Sequence, residues 1–518
     1  MTLSPATSRI TRRRVVGGTA AVGAALVVPA VVSSSAASAA PATELVPADA
    51  DLHLLRRATY GLTAASVAEI RRIGRSAWLD RQLDPASIRD DRGADIAARF
   101  PLAGASNDTL KARVKAGTLK QYAWDAMYQT TYAATSRAIW SERQLFEVMV
   151  DFWSNHLNVT CPSSDVWDSR PDYDRTVIRA YAFGRFADML KASARHPAML
   201  TYLDNRFSTK TAPNENYGRE LLELHTVGLV YNEQDVKNAA RLLTGLTVDW
   251  NTGNYKYAAT THATGPVSVL GFSHPNATAA DGEPASLQFL DYLALHPATA
   301  RRIATKLCVR FVSDTPPDPL VTRLAKVYLD NGSAIVPVLR ALFTSTEFAA
   351  SRGQKSRTPY EDLVASVRAL ALAPDASGTK GMEALYYYAS NAGQGPMAWA
   401  TPDGYPDVES AWSSPSGLLT RWNAHLNLAA GYWPTELTRP ANLFTELIGP
   451  LPATYGALVD TLAQRLFGQN LSTAHRATAT AYFSKTPADP LKSTDSAVGW
   501  AFPYLVACLL NSPYFGIR

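Results

Sequence analysis

Apolar residues recur at three- and four-residue intervals over most of this chain, the spacing of amphipathic helices. The pattern predicts helices over 51–58 and over 64–82, the second opened by Thr63 as N-cap. A long helical region is expected over 119–158, then helices over 174–193 and from Asn214 to His225, and one over 233–245 opened by Asn232. Further helical periods fall at 284–294, 297–312, 319–329, 334–350, 360–372 and 418–431, with two more near the C-terminus; Pro284 and Pro297 suit first helical positions. Only 245–271 has strand character, with Thr247, Val248, Trp250, Tyr255, Tyr257 and Val267–Leu270 between Gly and Asn turn signals. The fold expected is mainly α: one large multi-helix domain over 45–518, with a small β-hairpin-like insertion near 246–271. Residues 387–417 read as a long irregular loop, and their aromatic content argues that the loop is ordered and functional.

The first 39 residues read as an address. Thr11-Arg12-Arg13-Arg14-Val15-Val16 has the twin-arginine form, a weakly apolar Ala/Gly/Val run follows, and Ala37-Ser38-Ala39 offers a small-residue cleavage site. The expectation is a protein exported folded and released outside the cell. Removing this segment alters the charge picture. Of 50 Lys and Arg, four lie in the segment with no acid, which leaves 46 against 45 Asp and Glu. A nearly neutral mature chain gives no support for a nucleic-acid partner. No later run of eighteen apolar residues exists, so no membrane span is expected, and a monomer is the simplest state. Cys161, Cys308 and Cys508 are too few and too scattered for a disulfide framework or an all-Cys metal site, though one bridge is conceivable.

Candidate chemistry concentrates in Asn214–His225. At 100° per residue, Asn216, Glu220 and Glu223 fall on one face, and two stacked carboxylates call for a cation, a proton or a solvated groove. Asp204 and Asn205 end the preceding apolar helix, so with Asn214 they are expected to floor a polar pocket; capping by Asn214 or Asn216 is the plainer alternative. Gln144, Glu147, Asp151, Asn155 and Asn158 share one face of their helix, and His156 shares another with Leu145, Met149 and Phe152; a solvated face and a core histidine are the simpler readings. Lys306 and Arg310 share a face with Arg302, either solvated or placed to balance Glu220 and Glu223. Arg421 has the same two readings. Neither H-E-x-x-H, G-x-S-x-G nor a strand-borne G-x-G-x-x-G occurs, which argues against zincin, serine-hydrolase and dinucleotide chemistry. No cofactor is expected; calcium on Asp204, Asn205, Asn214 and Glu220 is the one metal alternative.

Several ordered stretches also resemble one family. Leu54–Gly61, Ala77–Leu83, Asp151-Phe152-Trp153-Ser154-Asn155-His156, Asn214–His225, Asp235-Val236 with Ala240–Gly245, His296–Ala300 with Lys306-Leu307, and Pro402-Asp403-Gly404-Tyr405-Pro406 together resemble the bacterial domain-of-unknown-function family 1800. The resemblance implies a secreted helical protein and imports no activity. Leu246 stands where the family's Thr-Gly-Trp element has Trp, and Ala263 where an acid is common, which weakens a metal role for that loop.

The residues themselves point to a secreted hydrolase of an extracellular polymer, most plausibly a polysaccharide. Glycoside cleavage needs a protonated and an ionised carboxyl, and Glu220, Glu223 and Asp204 are the leading candidates, with Asp151 and Asp403 in reserve. Trp153, His156, Trp399, Tyr405, Trp412, Asn205, Asn214, Asn216, Asp403 and Arg421 are the candidate substrate contacts. The alternatives are a non-enzymatic secreted binding or assembly protein whose acidic helix is a hub paired with Lys306 or Arg310, and a metal- or cofactor-dependent redox enzyme.

Overall fold

Helix caps written into the sequence set most of the element boundaries. The computed structural model describes residues 44–518 apart from Ala123; the twin-arginine and cleavage segments lie outside the described residues. These residues fold as a mainly helical single domain whose only sheets are two-stranded. Thr63 caps Ala64–Ile73 in a capping box with Ser66, and Asn232 caps Glu233–Leu243 in another with Asp235. Both fall where the sequence places them.

The longer predicted helices are broken, each for a local reason. The expected 64–82 helix divides into Ala64–Ile73 and Arg75–Leu83, because Gly74 adopts φ +84° and ends the first. The 119–158 region divides into Trp124–Trp140 and Gln144–His156. Asp90 accepts hydrogen bonds from Ser141 Oγ at 2.7 Å and Glu142 N at 3.1 Å, which draws the chain out of the helix between them. The expected 334–350 helix is Ile335–Phe343 and Thr346–Ala350, with Ser345 as the cap of the second. The loop expected from 387 starts later, since Lys380–Asn391 is helical.

The strand-like segment forms two antiparallel hairpins rather than one. Leu246–Val248 pairs with Tyr255–Tyr257, and Val267–Val269 with Phe272–His274. A third pair joins Ala373–Asp375 to Leu437–Thr438. No described helix is long and apolar enough to cross a membrane. All three cysteines are free.

One apolar core runs through the domain, including Leu55, Leu145, Trp153, Leu221, Leu242, Leu307 and Phe515. The acidic helix is anchored in it by a close crossing. Glu215–Glu220 packs on Glu233–Leu243, and a Cβ at Gly218 would lie 2.9 Å from Val236 O. Past Glu220 the helix widens into a π turn, Leu221–His225. A π turn advances each residue by roughly 80° rather than 100°, so the helical projection that stacked Glu220 and Glu223 does not carry past Glu220, though Glu223 still acts on the Glu220 carboxyl.

Candidate functional site

A cavity of about 450 Å³ opens between Gln144–His156, Pro297–Phe311 and the irregular loop after Asn391. The first helix supplies Asp151 and Asn155, one turn apart, and His156 beside them; the second supplies Lys306 and Arg310, again one turn apart. The loop supplies Trp399, Asp403, Tyr405 and Asp407.

Two asparagines of the first helix region fix this loop. Asn155 donates from Nδ2 to Tyr405 O at 2.8 Å and accepts from Tyr405 N at 2.6 Å. Asn158 donates to Trp399 O at 3.0 Å and Thr401 O at 2.7 Å. Gly404 makes the close approach possible. Its φ is +75°, and a Cβ there would lie 2.2 Å from Asn155 O. The Pro-Asp-Gly-Tyr-Pro motif is therefore a backbone clamp that presents Asp403 and Tyr405. Asp403 Oδ1 accepts from Trp399 Nε1 at 2.8 Å and from the Thr401 hydroxyl. The rings of Trp399 and Tyr405 lie 4.8 Å apart, and Trp412 follows 5.8 Å beyond Tyr405.

Asp151 is the chemical centre of the cavity. Its carboxyl has no hydrogen-bond or ion-pair partner among the described residues. Burial pushes it up to about 6; Arg310 pulls the other way, and Glu361 and Asp407 reinforce the rise. A carboxylic acid that keeps its proton toward neutral pH is suited to proton donation.

Beside it sits an amine–imidazole pair. Lys306 Nζ donates to His156 Nδ1 at 3.0 Å, which leaves His156 Nε2–H to donate to His225 O at 3.1 Å. Burial, Lys306 and Arg302 hold His156 well below the usual imidazole range. The same three influences bring the buried His225 ring down to about 3. Both imidazoles are thus neutral. Burial and Arg302 also lower Lys306, to about 8, against the pull of Asp403 and Asp407.

Arg310 connects the cavity to a buried ion cluster. Glu361 Oε1 lies 2.5 Å from Arg310 Nη1 and 3.0 Å from Arg518 Nη2. Asp407 lies 3.7 Å from Arg310 and 3.0 Å from Lys355, which reaches Asp314 at 2.6 Å. Burial alone would raise Glu361, but Arg310 and Arg518 overcome it and hold the carboxyl at about 2.

The residues singled out from the sequence divide. His156, Trp399, Asp403 and Tyr405 line the cavity; Asp204, Asn205, Asn214, Asn216, Glu220, Glu223, Trp153, Trp412 and Arg421 do not. Asp204 and Asn216 are exposed. Asn205 is buried, holding Leu243 O and Leu246 O at 3.1 Å each. Asn214 caps its helix by accepting from Tyr217 N at 3.1 Å and donates to Leu203 O at 2.7 Å. Capping, the plainer reading, is what Asn214 does, and Asp204, Asn205 and Asn214, expected to floor a polar pocket, lie outside this cavity. Among the described residues no group of three or more His, Cys, Asp or Glu side chains is gathered as a metal-binding cluster. Trp153 is fully buried and donates to Ala182 O at 3.0 Å, a core role. Trp412 donates to Pro406 O at 2.9 Å, and Arg421 faces a separate depression near Asp362.

Glu220 lies close enough to the rim to feel Asp403. Burial raises its carboxyl, with Glu223 and Asp403 adding to the rise and Arg219 opposing it. Glu223 accepts the Tyr231 hydroxyl. Neither acid is ion-paired with Lys306 or Arg310, whose partners lie elsewhere, so the acidic helix is not their counter-charge.

The polar face of Gln144–His156, expected to be solvated, is largely occupied. Glu147 is buried in a bidentate pair with Arg179 at 2.7 and 2.9 Å, and Gln144 donates to Ala138 O and Ser141 O. Asp151, Lys306, Arg310 and Asp407 were undervalued from sequence. For the helical ones, the available signal was an i, i+4 pair of polar positions on each of two helices, Asp151/Asn155 and Lys306/Arg310.

A family model described as "Protein of unknown function (DUF1800)" matches residues 53–517. No match was found among curated proteins or among solved structures.

Proposed function

The chain belongs to the DUF1800 family, whose function is unknown, so the cavity has to speak for the chemistry, and we propose a secreted hydrolase of an extracellular polysaccharide acting through Asp151. The observation that carries this reading is an unpartnered carboxyl, raised to about 6, on the wall of a cavity furnished with aromatic rings. Glycoside cleavage uses a protonated carboxyl on the leaving oxygen and a second carboxyl to stabilise or trap the oxocarbenium-like centre. Asp151 takes the first role. Asp403 takes the second: it is held by Trp399 and Thr401 and is not ion-paired among the described residues.

The remaining lining supports a sugar ligand. Trp399, Tyr405 and Phe152 offer flat apolar faces for a pyranose ring, and Gln394 offers an amide for hydroxyl groups. Arg310, fixed by Glu361, supplies positive potential beside Asp151 and keeps its ionised form tolerable after proton transfer. Glu220, a leading catalytic candidate from sequence, becomes a rim residue whose carboxyl feels the charge of Asp403.

The test is a panel of neutral and acidic polysaccharides incubated with purified protein at pH 5–6, with detection of new reducing ends. Release from at least one polymer is expected, reduced by about two to four orders of magnitude in Asp151→Asn. No release from any polymer, or equal release by the variant, would overturn the reading.

A further inference from the structure

We propose that Lys306 is a nucleophilic amine that captures a small polar aldehyde or ketone in the cavity as an imine. This does not depend on the glycosidase reading. Lys306 lines the cavity, makes no ion pair among the described residues, and has one hydrogen-bond partner, the His156 imidazole. A lysine that supports structure normally finds a carboxylate, as Lys355 does with Asp314 and Asp407. Lys306 instead meets an acceptor nitrogen whose tautomer is fixed by the His225 carbonyl, so the amine is aimed without being neutralised.

The surrounding charges favour the free amine. Arg302 on the same helix opposes an ammonium ion, Asp403 and Asp407 support it from beyond ion-pair range, and His156 and His225 are neutral. Desolvation and a neighbouring cation are the established means of making a lysine nucleophilic near neutral pH. They bring this amine to about 8.

The step balances without a redox partner. The Lys306 lone pair forms the N–C bond as the carbonyl π pair moves to oxygen, and the nitrogen loses a proton as that oxygen gains one. The carbinolamine then loses hydroxide with a second proton, as water, leaving C=N. Asp151 lines the same cavity and is the acid available for that loss.

The experiment exposes the full chain to glycolaldehyde and sodium cyanoborohydride at pH 7.5, followed by peptide mapping of alkylated lysines over time. Lys306 should be alkylated at least about tenfold faster than Lys256 and Lys326, whose side chains are 57% and 74% exposed. Its rate should rise with pH and level off above about 8, while the exposed lysines are still climbing. Lys306→Met should lose that fast adduct alone. Modification of Lys306 no faster than the exposed lysines overturns the proposal, whether or not the variant folds. Glycan hydrolysis with no fast adduct would leave the glycosidase reading standing; a fast adduct with no hydrolysis would leave only this one.

Discussion

Replacing Asp151 by Asn should stabilise the protein, and only above the acid range. The native carboxyl sits at about 6 against an unfolded value near 3.9, a rise of roughly two units, worth ~3 kcal/mol. Because the folded value is raised, the native state is penalised for ionising this group. The penalty is absent below about pH 4, grows between about 4 and 6, and is complete by about pH 7. Asn keeps the shape and cannot ionise, so the variant escapes it. With roughly 475 folded residues, the unfolding entropy near the melting point is about 1 kcal/mol/K, so the gain corresponds to about 3 °C. Thermal unfolding of both proteins at pH 3.5, 5, 6.5 and 8 reads the difference. Coincident melting at pH 3.5 and a variant about 3 °C higher at pH 8 is expected. A variant that melts lower at pH 8, or a difference independent of pH, would refute the claim that Asp151 is a carboxyl held uncomfortably in the native state.

Glu361→Gln should behave in the opposite way: it strands Arg310 and Arg518 and should cost about 3–5 kcal/mol at pH 7 in denaturant titration. Because Glu361 is depressed to about 2, its contribution is present above about pH 4.5 and fades as pH falls toward 2, so the wild-type advantage should shrink with acid. Gly404→Ala puts a Cβ into Asn155 O at a positive φ; a loss of about 1–3 kcal/mol and a changed Trp fluorescence, reporting displacement of the Trp399 loop, are expected. Glu220→Gln and Glu223→Gln strand no cation, so each should melt within about 1 kcal/mol of wild type; a collapse of either would restore the ion-pair hub.

The helical architecture was legible because caps and periodicity are local. Thr63 and Asn232 act where the sequence puts them, and Ser345 and Ser512 make the same turn, each hydroxyl donating to the carbonyl three residues back. The breaks at Gly74 and after Trp140 were missed for different reasons: the first was a glycine inside a good period, the second depends on Asp90, fifty residues away. The site was half legible. The Asp-Phe-Trp-Ser-Asn-His and Pro-Asp-Gly-Tyr-Pro motifs both reach the cavity, yet nothing local says that Asn155 joins them. Glu220 and Glu223 drew attention through proximity in sequence, and the π turn that begins after Glu220 leaves no signature in a 100° projection. Asp151 was undervalued because a carboxyl beside polar neighbours reads as solvated until the opposing helix, with Arg310 and Lys306, is brought against it.

The most direct test of the catalytic role of Asp151 is the pH dependence of kcat/KM on whichever polysaccharide the panel identifies, for wild type and Asp151→Asn together. A general acid at about 6 in the free enzyme predicts a rate that falls tenfold per pH unit above that value, and a variant lower by about two to four orders of magnitude. A wild-type rate that is flat from pH 5 to 8, or a variant that keeps the wild-type rate, would contradict it.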